Sequence, residues 1–394
     1  MTSSSCRVAI VGAVVLLCGL IVGHGTPDPA SPPEPHDRLS VEGAVRSLAF
    51  SPNGAYLAVG LSGTWGELWD MRRGELLARL EGHRGEVRDV TFGPHGQRLA
   101  TASHDGLARL WTVPGGQLIR EFEGHDDFVR AVAISPDGQT LATGSKDKTV
   151  RLWDMRTARQ QRVMNGHTDW LNDLAFSPDG RWLASGALEN SYRNAVQLWA
   201  GDTGRHQVTI GGHPAHVWAV AFAPDGRTLA SASSDGTVRT WRVPDGRPQR
   251  VLEGHTRFVR AVAFTPSGRI VSGDTAGNVR LWPTDGSQPD DRWAFGAEIQ
   301  ALAVAPDGQL AVATCREDGF YLCRQSEIWI GSLPALGSPL TMPLADFDAD
   351  GDRRLSDAEF LDLLDAWIEG RVDGPGLRAG IDAWIAQSRI DAPR

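Results

Sequence analysis

The chain has 394 residues, 41 % of them apolar and 22 % charged, with a formal net charge of −9. Those fractions belong to a folded chain and exclude a disordered one. The acidic balance removes the basic surface that general nucleic-acid binding demands. Glycine (45) and tryptophan (14) are plentiful while tyrosine is scarce (3), as expected if many turns carry a Trp at one fixed place.

In chain order, the first feature is an apolar run over residues 8–22, preceded by Arg7. As a helix, this run reaches roughly 22 Å, short of the ~30 Å hydrocarbon core. Such a length suits the apolar region of a signal peptide. Gly23 and Gly25 offer small residues where a signal peptidase reads. Residues 1–25 therefore read as a signal peptide or an uncleaved membrane anchor, and either places the remainder outside the cytoplasm. A lipoprotein site at Cys18 is disfavoured by the bulky Leu17 before it. Residues 26–36 are proline-rich and read as a stiff spacer. Cys6 and Cys18 fall in the targeting segment, leaving Cys315 and Cys323 as the one remaining pair. They read as a disulfide flanking a hairpin loop, or else as two unrelated thiols.

From residue 37 the chain repeats. Gly-His dipeptides recur at His83, His125, His167, His213 and His255. Tryptophans recur at Trp69, Trp111, Trp153, Trp199, Trp241, Trp282 and Trp329, spaced by 41 to 47 residues. Between them lie runs such as VRAVAISPDGQTLATGSKDKTVRLW, residues 129–153, which read strand, turn, strand, turn, strand. A fourth strand, such as LIREFEG, leads into the next Gly-His. Four strands in about 42 residues is a propeller period, because a lone four-stranded sheet cannot bury both faces and stacked sheets can.

The pattern GH…SPDG…S-x-D-G-T-V-R-x-W resembles the WD-repeat family over residues 37–333. Only Trp69-Asp70 and Trp153-Asp154 keep the eponymous dipeptide. The expected fold is all-β, a seven-bladed β-propeller of four-stranded blades. No outer strand is evident after Trp329, so residues 37–41, which resemble ARLEGH, are expected to supply the last blade's outer strand and remove an open edge. The resemblance implies a non-catalytic interaction scaffold, a monomeric propeller that binds a protein or peptide partner.

His, Ser/Thr, Asp and Trp recur together as His83, Thr101, Asp105, Trp111; as His125, Thr143, Asp147, Trp153; and as His213, Ser231, Asp235, Trp241. Such trios superficially suggest a hydrolase. Repetition in three blades, ending on an indole donor, argues for a buried hydrogen-bond chain, which is their role in the resembled family. Blade six carries Ala276 where the Asp is expected, blade four has an insertion near Asn190 to Asn194, and blades one and seven lack the set. Counting from each His, the residue four later is a Val or Leu that should pack inward. Its neighbours should therefore face the top of the ring and the channel mouth. Three residues after His stand Phe128, Trp170, His216 and Phe258; five residues after stand Arg46, Arg88, Arg130 and Arg260, with Trp218 in blade five. Arginine and aromatics are the residue types that dominate interfaces, and a local arginine ring on an acidic protein favours an acidic partner.

Residues 334–343 read as a linker. Residues 344–394 then resemble an EF-hand, with Asp348, Asp350, Asp352, the Arg354 carbonyl, Ser356 and Glu359 at the ligand positions and an amphipathic run through Phe360, Leu363, Leu364, Trp367 and Ile368. This small helical segment implies calcium as cofactor and no organic one. Arg353 stands where glycine normally makes the turn, a strain of about 1–3 kcal/mol. A register starting at Asp346 restores a glycine there but puts Asp357 at the last ligand position. The competing functional reading is a calcium-responsive regulatory module. A propeller enzyme is a third, with no nucleophile elbow, zinc motif or phosphate loop to support it.

Overall fold

In the computed structural model, residues 37–188, 195–284, 289, 291–315, 323 and 325–333 are described. They form seven four-stranded antiparallel sheets, in chain order except for one. That sheet takes its outer strand from Asp37–Glu42, which pairs with Gln325–Ser332 in the register Leu39 to Ile328 and Val41 to Ser326. The expected closure of the ring by residues 37–41 is thus observed.

Strands are lettered a to d from the channel outward. Blade three shows the rule. Strand a, Val129–Ile134, is buried along its whole length; b, Thr140–Ser145, is nearly so; and d, Gln160–Asn165, is exposed except at Met164. Alternation on a and b buries one residue set against the preceding blade and the other against the following one. The core therefore lies between blades. Leu152 and Met164 of blade three meet Leu171, Leu174 and Leu183 of blade four, while Leu39 and Ile328 of blade seven meet Val45 and Leu57 of blade one.

The Gly-His step has a steric basis. Gly124 sits at φ 150°, and a Cβ there would stand 3.1 Å from the Trp153 ring and from Arg151. Glycine lets the d–a connection pass directly over the tryptophan. In the SPDG turn, Gly138 takes φ 69°, the left-handed conformation that the tight a–b hairpin needs.

Blade seven carries a further tie. Cys315, at the end of strand b, and Cys323, just before strand c, form a disulfide with a Cα–Cα distance of 5.9 Å.

Candidate functional site

The recurrent polar residues assemble inside the blades. In blade two, Trp111 Nε1 donates to Thr101 Oγ1 at 2.9 Å, His83 Nε2 lies 2.7 Å from that hydroxyl, and His83 Nδ1 lies 2.8 Å from Asp105 Oδ2. One proton assignment runs through the chain: indole N–H to hydroxyl, hydroxyl to imidazole, imidazole N–H to carboxylate, which in blade two also accepts from Arg109. Blades three and five repeat the chain through His125, Thr143, Asp147 and Trp153, and through His213, Ser231, Asp235 and Trp241. Burial lowers the His83 pKa, consistent with a neutral ring. Burial alone would raise the Asp235 pKa, but hydrogen bonds from His213 and Thr237 bring it down to about 2. The hydroxyls of Thr101, Thr143 and Ser231 are fully buried, so no substrate reaches them.

Blade six corrects the sequence expectation. Ala276 supplies no carboxylate, yet the chain is complete, because Asp274 Oδ2 lies 2.7 Å from His255 Nδ1 and Ser272 bridges His255 to Trp282. Asp274 stands two residues earlier, where the other complete blades carry Ser103, Ser145 and Ser233. In blade one, Trp69 Nε1 donates instead to Glu67 Oε2 at 3.0 Å. In blade four, Trp199, Ser185 and His167 are linked, and the insertion lies outside the described residues.

The d–a and b–c connections share one face, as the bonds from the His104 amide to the Glu86 carbonyl and from the Lys146 amide to the Phe128 carbonyl show. Here the structure separates the expected rim residues into two rings. The residue four after His (Val87, Val129, Leu171, Val217, Val259) is fully buried. In all seven blades the a–b register then slips by one across the next position. A β-bulge re-aims its extra residue out of the pleat. The bulge residues are Arg46, Arg88, Arg130, Asn172, Trp218, Arg260 and Gln300, and all seven line one cavity of about 290 Å³ at the channel. Alternation alone placed five of these at the rim; Asn172 and Gln300 complete the column and were missed because neither is Arg nor aromatic.

Arg46 Nε pairs with Glu86 at 2.8 Å, and Arg260 Nη1 with Glu298 at 2.9 Å and with Gln300 at 3.1 Å, while its guanidinium lies 4.9 Å from the Trp218 ring centroid. Arg130 donates to Asn172 at 2.7 Å, and Asn172 in turn donates to the Val217 carbonyl. Next to the bulges lie two half-buried carboxyls. Asp89 accepts from the Val90 and Val132 amides and from Ser47; Asp173 accepts from the Leu174 and Val220 amides. Each ties its blade to the next across the inner ring. Burial, and then the nearby Asp89, pushes Asp173 up to about 8. Burial and the Arg130 and Arg46 charges push Arg88 down to about 9, so it stays charged at neutral pH.

Outside this ring stand Phe128, Trp170 and Phe258, exposed by 39 %, 37 % and 53 %. Lys146 Nζ lies 4.8 Å from the Phe128 centroid and 4.5 Å from that of Trp170, and His104 stacks on Phe128 at 4.5 Å. His104, Phe128, Lys146 and Trp170 thus form one continuous shelf over blades two to four, reaching the channel through Arg130, 5.9 Å from the Trp170 centroid. His104 and Lys146 were not singled out in the sequence, although both stand seven residues before their blade's Trp. His216 is half-buried, and its Nδ1 is 2.7 Å from the Leu188 carbonyl. The calcium positions Asp348, Asp350, Asp352, Arg354, Ser356 and Glu359 lie outside the described residues.

The model of the family described as "WD domain, G-beta repeat" matches residues 35–70, 74–112, 116–154, 158–199, 204–242 and 246–283. These matches cover more than half of the chain, and the protein belongs to the WD40 repeat family. Each match joins an outer strand to the next blade's first three strands. The first therefore includes the closing strand, and the three inner strands of the seventh blade lie beyond the last match. A search of the curated proteins returns no match. WD40 propellers are generally non-catalytic scaffolds that bind protein partners.

Proposed function

We propose that this protein is a docking scaffold outside the cytoplasm that holds an acidic peptide or protein segment on its top face. The observation that carries the reading is the shelf of Phe128, Lys146 and Trp170, which runs into the arginine-lined channel. Rigid aromatics beside arginine are the residues that carry most binding energy. The paired rings hold Lys146 in place, so little side-chain entropy is lost on docking. Support for the extracytoplasmic setting comes from the apolar run at 8–22 and from the Cys315–Cys323 disulfide, a bond that persists in oxidising compartments. Calcium binding at 348–359 belongs to the same proposal, supported by the spacing of its carboxylates.

Affinity capture from the exporting cell tests the docking face. The Trp170→Ala and Phe128→Ala variants should each lose at least about tenfold in partner recovery, the scale of one interface anchor. Leu118→Ala, on an exposed outer strand, should recover partners as the parent does. Full recovery by both shelf variants refutes the assignment.

A further inference from the structure

The channel gathers more arginines than its carboxylates hold by hydrogen bonds. Four guanidinium groups, from Arg46, Arg88, Arg130 and Arg260, line one cavity of about 290 Å³. Among the described residues, Glu86 bonds to Arg46, and Glu298 to Arg260. Arg88 comes no nearer to a carboxylate than 3.8 Å, to the same Glu86 already held by Arg46. Arg130 bonds only to the neutral Asn172 amide, and its Nε, in a residue 9 % exposed, has no acceptor.

Two further acids line the cavity, Asp89 and Asp173, and neither is hydrogen-bonded to an arginine. Asp89 accepts from the Val90 and Val132 amides and the Ser47 hydroxyl, Asp173 from the Leu174 and Val220 amides, and burial raises the pKa of both, that of Asp173 to about 8. Arg88 and Arg130 are therefore without a hydrogen-bonded carboxylate in a partly enclosed site. Uncompensated buried charge is costly, and a ligand that supplies the missing charge recovers that cost. A single carboxylate supplies one negative charge. A phosphate dianion supplies two, with several oxygens arranged for the planar fork of arginine. The cavity is at the small end of ligand sites, which run from about 300 Å³.

We propose that the bulge arginines form a phosphate-dianion site in the channel, with Arg88 and Arg130 as the groups that hold it and Arg46 and Arg260 kept in place by their glutamates. The anion is free phosphate or a phosphate monoester; both present the same oxygens to the arginines. The site does not depend on the shelf or on any partner, and phosphate alone probes it.

The test is calorimetric titration of the full chain with inorganic phosphate and, separately, with phosphoserine. Saturable phosphate binding is expected, weakened at least tenfold by Arg88→Gln and by Arg130→Gln and unchanged by Arg181→Gln, a surface arginine paired with Asp179. Phosphoserine binding equal to that of phosphate assigns the site to monoesters, and weaker binding assigns it to the free ion. A melting curve guards against misfolding: without phosphate, Arg88→Gln should melt no lower than the parent, and phosphate should raise the melting temperature of the parent only. If Arg88→Gln does not fold, Arg88→Lys keeps the charge, loses the fork and should bind at least tenfold more weakly. Absence of saturable binding by either anion, or equal weakening by Arg181→Gln, overturns the proposal.

Discussion

At the scale of residues, the blades are fastened by hydroxyls that cannot do chemistry. Thr143 accepts from Trp153 and bonds to His125, with all three side chains buried. Thr143→Val keeps the shape and leaves two polar atoms without partners. A loss of about 1–3 kcal/mol in urea unfolding is expected, the cost of an unsatisfied buried group. The same chains fix the response to acid. Asp235, normally near 3.8, is held at about 2, and Asp105 and Asp147 are lowered further. A depressed carboxylate stabilises the fold above its unfolded pKa, and that stability is lost as pH falls through the folded pKa. His83 and His255, lowered from 6.5 by burial, resist protonation and act in the same direction. Asp173, raised, acts oppositely and weakens the fold as pH climbs towards about 8. Stability measured against pH should therefore fall from about 4 towards 2, and Asp235→Asn should make that fall shallower.

At the scale of elements, the closing strand and the disulfide make their own predictions. Leu39 and Val41 are buried in the cluster shared by blades seven and one. Leu39→Asp places a charge there and detaches the strand, exposing the edge of Gln325–Ser332. Faster proteolysis and higher-order species on gel filtration are expected. Reducing Cys315–Cys323, a short loop, should cost about 2–3 kcal/mol by the loop-entropy relation. In the C-terminal segment, calorimetry should show calcium binding by the full chain that Glu359→Ala abolishes. Much of this organisation was legible in the sequence: tryptophan spacing counted the blades, and the likeness of 37–41 to other outer strands located the closure. Asp274 was not legible, because it stands at the position where the other complete blades carry a serine, two residues before the Asp position that Ala276 fills. The bulge was not legible either. Strict alternation put Phe128 and Arg130 on one rim, and only the register slip shows that Arg130 turns into the channel while Phe128 stays on the face.

At the scale of the molecule, seven identical bulges convert a local backbone irregularity into a ring of side chains around one axis. The fold supplies the geometry, and the sequence chooses which residues occupy it: four arginines, one Trp, one Asn and one Gln. The blades hold the aromatic shelf at a fixed distance from that ring, so a segment docked as proposed would meet apolar rings outside and cations inside. Photo-crosslinking tests this arrangement most directly, with a photoreactive residue placed in turn at Trp170, at Phe258 and at Ile119 on the outer strand of blade two. The docking scaffold predicts that partner adducts form at positions 170 and 258 and not at 119. Adducts confined to 119 would place the partner on the outer wall of the propeller and contradict the top-face site.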